Sequence, residues 1–195
     1  EQGTYILNSR DMCMIDHLND LMDAGVDCIK IEGRAKSAYY AAIVTGAYRH
    51  CIDDAADGRE LDPIWRDEVD HISHRIYSTG FYYPEHKVTQ NTDRSAYFRS
   101  WLVVGEVLSW SADEDGRVTL MSRNKIEPGQ QVEFLLPGER PLVFTVPETG
   151  LRDADGAPVP AINNPAHVFS MPCPHQVPIN AAIRSRTKKP TLKAE

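Results

Sequence analysis

The sequence predicts an α+β fold: terminal βα units of a TIM-like barrel and a helical linker, followed by a small all-β barrel. Three observations predict it. Over residues 1–60, short apolar runs alternate with segments whose apolar residues recur at helical spacing (a helical stripe). Residues 61–96 contain one more helical stripe and a polar stretch. Residues 97–186 contain short β segments. A basic tail, 187–195, follows. Two βα units cannot close a barrel, so we expect them to pack on further chain or on a partner.

The first part is predicted to contain two helices with a strand between them. One helix is expected from Asp11 to Ala24, where apolar residues recur at helical spacing and Gly25 ends the pattern. Val26–Glu32 is rich in β-forming residues and is predicted to be a strand. The second helix is expected to start near Ser37 and to end by Gly58.

A third helix is predicted after Asp62, which would cap it ahead of a proline in its first turn. Its apolar stripe consists of Trp65, Val69, Ile72 and Ile76. His71 and His74 would then share a face at a spacing that suits metal ligands. The sequence offers no third ligand, which favours a structural or interface role over metal binding.

From residue 97 the pattern changes to five or six short strands separated by turns rich in glycine and aspartate. Several short strands with frequent turns and no helical stripe are typical of a small closed or nearly closed barrel. Trp101 and Trp110 are interpreted as barrel core, because a base-stacking platform would need basic neighbours. The strands are expected near 103–110, 117–121, 131–136, 142–146, 166–171 and 179–183.

Composition limits the classes of function. A net charge of −7 argues against a surface that binds nucleic acid everywhere, and the basic tail is interpreted as solvated in preference to an RNA-contacting arm. No apolar run could span a bilayer and no signal peptide opens the chain, so no membrane partner and a cytoplasmic location are expected. The four cysteines form no CxxC pair, so a self-contained zinc site is not expected.

The predicted strand Val26–Glu32 carries the main candidate site. Alternation would place Lys30 and Glu32 on one face, near the end of the strand where barrels of this type hold their active sites. Arg34 and Lys36 follow in the next loop. These groups would bind an anionic substrate, with Glu32 taking part in proton transfer. A purely structural Lys30–Glu32 pair is an equally good interpretation.

Four stretches make the sequence resemble the peptidase U32 (collagenase-like) family. They are Asn8–Cys13 (NSRDMC), Lys30–Tyr40 (KIEGRAKSAYY), Ala47–Arg49 (AYR) and Ser73–Phe81 (SHRIYSTGF). The β-rich end also resembles that family's C-terminal domain, which is similar to the second domain of translation elongation factors. The resemblance implies a catalytic TIM-like barrel whose N-terminal part lies upstream in the same polypeptide.

The resemblance also implies a function, with peptidase as the main interpretation. The alternative is hydroxylation of tRNA or ribosomal RNA by an iron–sulfur enzyme, with the β-barrel binding RNA or protein. By the same resemblance, Lys30, Glu32 and Arg34 would line the catalytic site, and Lys36, His74 and Arg75 would bind a peptide or structured RNA. Cys13 would supply one ligand of a 4Fe–4S cluster in the full-length protein, whereas this chain alone is expected to hold no cofactor, to lack activity and to self-associate.

Overall fold

The computed structural model describes residues 6–83, 85, 88–92 and 97–191, with only the backbone for 188–191. The chain divides into two compact units: unit 1 is Glu1–Ser100 with Lys189–Glu195, and unit 2 is Trp101–Lys188. The helices are α1 (Leu18–Asp23), α2 (Ala38–Ala56) and α3 (Pro63–Glu68). The strands are β1 (Asp11–Met12), β2 (Tyr77–Ser78), β3 (Arg99–Ser111), β4 (Arg117–Ser122), β5 (Gln131–Phe134), β6 (Leu142–Thr145), β7 (Arg152–Asp153), β8 (Val168–Pro172) and β9 (Ala182–Thr191).

The first helix starts later than the sequence predicts. Asp11 and Met12 form β1, a 3₁₀ turn covers Ile15–His17, and α1 follows. The helix cannot start at Asp11, because Asp11 and Met12 pair with Tyr77 and Ser78 of β2 and therefore have an extended backbone. Its end is confirmed, since Gly25 has a positive φ of 78° and donates to the Met22 carbonyl.

The predicted strand Val26–Glu32 is absent from the described structure. The segment is irregular, and the side chains of Lys30 and Glu32 are exposed. A parallel strand is held by ladder hydrogen bonds to neighbours on both sides. The two described sheets pair other segments, so β-forming residues alone do not make this segment a strand.

Helix α2 is confirmed together with both of its ends. The Ser37 hydroxyl accepts the N–H of Tyr40 at 3.2 Å, which caps the first turn. Gly58, with a φ of 67°, follows the last turn. The helix buries one face in the core of unit 1, whose buried apolar members are Met14, Ile15, Leu18, Leu21, Ala47, Cys51 and Val69.

Helix α3 begins as predicted but ends at Glu68, so the expectation that His71 and His74 share a helical face is wrong. Asp62 caps the helix by accepting the N–H of Ile64 at 3.1 Å. Beyond Glu68 the backbone of His74 pairs with Phe98 in an antiparallel bridge, which uses the groups a longer helix would need. The apolar residues at helical spacing are therefore explained by burial, since Val69 and Ile72 are each 2% exposed, and they do not show that the helix continues.

Unit 2 contains a large antiparallel sheet, which confirms the change to β structure after residue 97. The strand order is β6–β5–β9–β3–β4–β8–β7. Strand β9 is longer than predicted and continues to Thr191, so the first residues of the basic tail belong to a strand. The buried core is formed mainly by alternate residues of these strands: Val104, Val107, Val118, Leu120, Val132, Phe134, Phe169, Met171 and Ile183.

A buried ion pair joins β5 to β9. Arg184 is 1% exposed, and its Nε and Nη2 lie 2.8 and 2.6 Å from Glu133 Oε2. Its guanidinium also lies 4.5 Å from the centre of the Trp101 ring, and that of Arg186 lies 4.9 Å from it. Trp101 is 6% exposed. This burial agrees with its interpretation as core and leaves little ring surface for a stacked base.

Among the described residues, no helix is both long and apolar enough to cross a membrane.

The sheet core predicts a contrast between two valines on paired strands. Val132 on β5 is 1% exposed, whereas Val143 on β6 is 54% exposed. We expect Val132→Ala to lower the free energy of unfolding of unit 2 by about 2 kcal/mol, because it removes buried methyl groups and leaves a cavity. Val143→Ala should change it by less than about 0.5 kcal/mol. Urea titrations followed by tryptophan fluorescence measure both, and equal effects would contradict the described core.

Candidate functional site

A short parallel strand pair brings two of the sequence motifs together. Asp11 of β1 pairs with Tyr77 of β2, and Met12 pairs with Ser78. The Asp11 N–H donates to the Ile76 carbonyl at 3.0 Å, which fixes this register. The motif Asn8–Cys13 therefore lies against the motif Ser73–Phe81, although more than 60 residues separate them along the chain.

The Asp11 carboxylate strengthens this pair by binding Arg75 twice. Its Oδ1 accepts the Arg75 side-chain Nε–H at 3.0 Å, and its Oδ2 accepts the Arg75 backbone N–H at 2.9 Å. The side chains are 21% and 27% exposed, so water screens the pair only partly. Arg75 is thereby held in one orientation before any ligand binds.

Arg75 and Lys36 meet at Tyr97, an aromatic residue that no motif of the sequence marks. Lys36 Nζ lies 4.8 Å from the centre of the Tyr97 ring, and the Arg75 guanidinium lies 5.8 Å from it. Lys36 also lies 5.3 Å from the Tyr40 ring. Tyr97 is 43% exposed. We call Lys36, Tyr40, Arg75 and Tyr97 the cation–aromatic cluster, and its cations lie over ring faces at distances typical of cation–π contacts.

Of the residues predicted to line a catalytic site, Glu32 contacts this cluster. Lys30, Glu32 and Arg34 are all exposed. Glu32 Oε1 accepts the backbone N–H of Arg34 at 3.0 Å, and the Glu32 carbonyl accepts the Tyr40 hydroxyl at 3.4 Å. Burial is the main cause that raises the pKa of Tyr40 above its usual value, and the acidic groups of Asp11, Cys13 and Glu32 add to it. The Tyr40 hydroxyl therefore keeps its proton and donates it to the Glu32 carbonyl.

Cys13 lies at the end of β1, half-buried, beside a tyrosine. The Tyr48 hydroxyl accepts the backbone N–H of Met14 at 2.9 Å and lies 3.8 Å from Cys13 Sγ. Burial and the neighbouring Cys13 raise the pKa of Tyr48 above its usual range. Cys28 is exposed and Cys51 is buried in α2. The described residues bring no group of three or more potential metal ligands together, so they do not fit an iron–sulfur cluster by themselves.

His74, predicted as a substrate contact, lies inside unit 1. It is 1% exposed and stacks on Tyr77 with ring centres 4.2 Å apart. Its Nδ1 carries a proton because the Arg75 carbonyl, 2.6 Å away, can only accept, and its Nε2 lies 3.5 Å from Asp70 Oδ1. In this position His74 supports Arg75 through the backbone and is shielded from a ligand outside the unit.

Two adjoining cavities border β1 and β2. The larger measures about 700 Å³ and is lined mostly by apolar and small polar side chains, including Met12, Phe81, Tyr82 and Val88. The smaller measures about 270 Å³ and is more polar. Arg10 lines both cavities. The sequence marks Arg10 only as part of the Asn8–Cys13 motif and gives no sign that its side chain would be partly enclosed.

Comparison with protein families identifies the chain. Residues 1–92 match the family described as "Peptidase family U32". Residues 99–184 match "Peptidase family U32 C-terminal domain". The chain belongs to peptidase family U32. The U32 matches include the strand pair, three members of the cation–aromatic cluster (Lys36, Tyr40 and Arg75) and most of the antiparallel sheet.

Proteins that are similar to this chain carry different names. This U32 chain is 31% identical to tRNA hydroxylation protein P of Escherichia coli over 95% of its length, and it covers 40% of that protein. It is 39% identical over 47% of its length to a protein of Methanocaldococcus jannaschii named as an uncharacterized protease, covering 22% of it. The chain thus spans well under half the length of these relatives.

A solved structure is also similar in part. The C-terminal domain of a Geobacillus thermoleovorans protein described as a "putative U32 peptidase" aligns with 43% of this chain and 98% of that domain, at 24% identity and a TM-score of 0.39.

The cysteines of unit 1 predict a contrast in reactivity. Burial raises the pKa of the Cys51 thiol from 9.0 to about 11, so almost none of it is thiolate at pH 8. We expect exposed Cys28 to react with iodoacetamide at least roughly ten times faster than Cys51, measured by mass spectrometry of the alkylated peptides. Equal rates in the folded protein would contradict the burial of Cys51.

The same thiol gives stability a dependence on pH. The unfolded Cys51 loses its proton near pH 9.0, whereas the folded one keeps it up to about 11. Its contribution to stability is therefore complete below pH 9 and is lost as the pH rises to 11. The midpoint of urea unfolding should fall over this range, and it should fall less in Cys51→Ala. An identical slope in the variant would contradict this assignment.

Proposed function

We propose that this chain is part of a larger protein that hydroxylates tRNA. The observation that supports this most strongly is the extent of similarity: the relative named for tRNA hydroxylation matches 95% of the chain, through both units. The relative named as a protease matches only 47% of it. The peptidase activity implied by the family resemblance is therefore the weaker candidate. Within the larger protein, unit 1 would complete a TIM-like barrel whose N-terminal part lies upstream, and unit 2 would be an accessory barrel similar to the elongation-factor domain.

The cation–aromatic cluster is the proposed RNA contact. Proteins recognise unpaired bases by stacking them on aromatic rings and bind the neighbouring phosphates with Lys and Arg. Tyr97 offers a ring that is 43% exposed, with two cations beside it. The Asp11 carboxylate orients Arg75 but also cancels part of its charge, so Lys36 would provide the main phosphate contact.

The exposed stretch 30–34, at the end of the irregular segment 26–32, is the proposed catalytic edge. Lys30, Glu32 and Arg34 lie there in reach of solvent, next to Tyr40. Glu32 would take part in proton transfer, and Arg34 would bind an anionic group of the substrate. His74 would act as a positioning residue, because it contacts the carbonyl of Arg75 and is buried.

An iron–sulfur cluster is proposed only for the longer protein. Cys13 is half-buried and lines the smaller cavity, so it can supply one thiolate ligand, and the remaining ligands would come from outside the described residues. Such a cluster would supply electron transfer. Iron analysis of the full-length protein tests this: Cys13→Ser should lower the iron content, and Cys28→Ser should leave it unchanged.

The activity itself is tested with the full-length protein. Its expression in bacteria that lack their own tRNA hydroxylation proteins should restore hydroxylated nucleosides, measured by mass spectrometry of digested tRNA. The same purified protein should not cleave denatured collagen. Collagen cleavage without any gain in hydroxylated nucleosides would refute the proposal in favour of a peptidase.

The proposed RNA contact predicts the effect of two changes at one position. Tyr97→Ala should weaken tRNA binding by roughly ten-fold, the size expected for loss of one stacked base, whereas Tyr97→Phe keeps the ring and should bind normally. Filter binding at fixed salt concentration measures this. Lys36→Ala should also weaken binding and flatten its salt dependence.

The matched control is Lys125→Ala, which removes an exposed lysine of unit 2 that pairs with Glu127. It should leave tRNA affinity close to that of the wild type. Wild-type affinity in Tyr97→Ala would show that tRNA binds elsewhere.

A further inference from the structure

The smaller cavity beside β1 and β2 has an unusual polar wall. It measures about 270 Å³ and contains two guanidinium groups, a combination not explained by the proposed RNA contact. Its other polar lining residues are Cys13, Asp16, His17, Tyr77, Ser78 and Thr79. Asp16 contributes the negative charge among these side chains, so the two arginines leave the wall with a net positive charge.

Arg10 has a buried hydrogen-bond donor that the described residues leave unused. Its Nε is inaccessible to solvent and has no hydrogen-bond partner among residues 6–83, 85, 88–92 and 97–191. A buried N–H of a charged group is costly to leave unpaired, so native proteins nearly always satisfy it. The Arg10 side chain borders both cavities. An acceptor that enters the smaller cavity would come within reach of its guanidinium.

Arg66 provides the second unused donor of the same cavity. Its Nε donates to Asp16 Oδ2 at 2.8 Å, which fixes the plane of the guanidinium. Its Nη1 is buried and lies 3.7 Å from Asp70 Oδ2, which is beyond hydrogen-bond distance. Within the described part of the chain, this atom also lacks a hydrogen-bond partner. Two independent arginines thus leave buried donors unsatisfied at one cavity.

We propose that this cavity binds a small oxyanion, a phosphate or a carboxylate group, between Arg10 and Arg66. Both groups accept hydrogen bonds only, and both match the fork of a guanidinium. The volume of about 270 Å³ lies below the range of sites for drug-sized ligands, which limits the enclosed part to a small group. The Ser78 hydroxyl, also in the wall, can donate a further hydrogen bond.

Charged neighbours reduce the positive charge of the site but leave part of it uncompensated. Asp16 takes up one arginine charge, and His17 is turned toward Asp20, with Nδ1 3.5 Å from Oδ2. Arg10 is therefore the main source of uncompensated positive charge, and it should contribute most to affinity. This inference does not depend on RNA as the substrate, since free phosphate or a small organic acid would satisfy the same donors.

Calorimetric titration of the full-length protein tests the proposal, with inorganic phosphate and succinate in separate titrations at constant ionic strength. We expect saturable binding of at least one of them, and the stronger binder identifies the group. Arg10→Gln should weaken binding by about ten-fold or more, because it removes a charge-assisted donor. Arg10→Lys should fall between wild type and Arg10→Gln, because it keeps the charge and loses the fork.

The matched control is Arg49→Gln on α2, since Arg49 is exposed and pairs with Asp53. It should leave anion binding unchanged. The proposal is overturned if neither anion binds at millimolar concentration. It is overturned as well if Arg10→Gln and the control Arg49→Gln weaken binding equally. A third result would also overturn it: normal anion binding by both Arg10→Lys and Arg10→Gln, when both variants unfold at the same midpoint as the wild type. The anion would then be bound by groups other than Arg10.

Discussion

The contact between Asp11 and Arg75 organises unit 1. It closes a loop of more than 60 residues that contains all three helices, and it does so with two hydrogen bonds to one carboxylate. Loop closure of this length carries an entropic cost that local contacts do not repay. The buried core of α1, α2 and Val69 supplies most of that compensation, and the Asp11 carboxylate selects the register in which the two motifs meet.

Each feature assigned a function in unit 1 depends on that closure. The Arg75 side chain lies near Tyr97 while its Nε–H is bound by Asp11. The two cavities exist because residues 9–13 and 77–82 lie side by side. The U32 motifs at these positions are therefore explained by geometry: they supply the strand pair, the orienting carboxylate of Asp11 and one arginine, Arg10, that borders both cavities.

The sequence predicted correctly those features of the fold that depend on neighbouring residues, such as helix caps and the alternation of apolar side chains. Ser37 and Asp62 cap helices as expected, and the alternating apolar residues after position 97 form the antiparallel sheet. The failures share a cause: the helix expected from Asp11, the strand Val26–Glu32 and the longer third helix were each decided by distant partners. Apolar periodicity reports burial, and it does not report which backbone groups a remote segment will take.

The charged residues of the candidate site could be selected from the sequence, but the way in which they come together could not. Sequence motifs pointed to Lys36, Arg75 and Cys13, which lie in unit 1, whereas no motif marks Tyr97. The unsatisfied donors of Arg10 and Arg66 are visible only when burial is known. These features depend on contacts between segments that are distant along the chain, and no local sequence pattern reveals such contacts.

A double-mutant cycle on Asp11 and Arg75 tests the central claim most directly. Free energies of unfolding of Asp11→Ala, Arg75→Ala and the double variant give the coupling between the two side chains. The account predicts a favourable coupling of about 1–2 kcal/mol that shrinks at high salt, as expected for a partly buried, charge-assisted contact. Strictly additive effects would show that the two motifs meet for another reason and would contradict the role given to this pair.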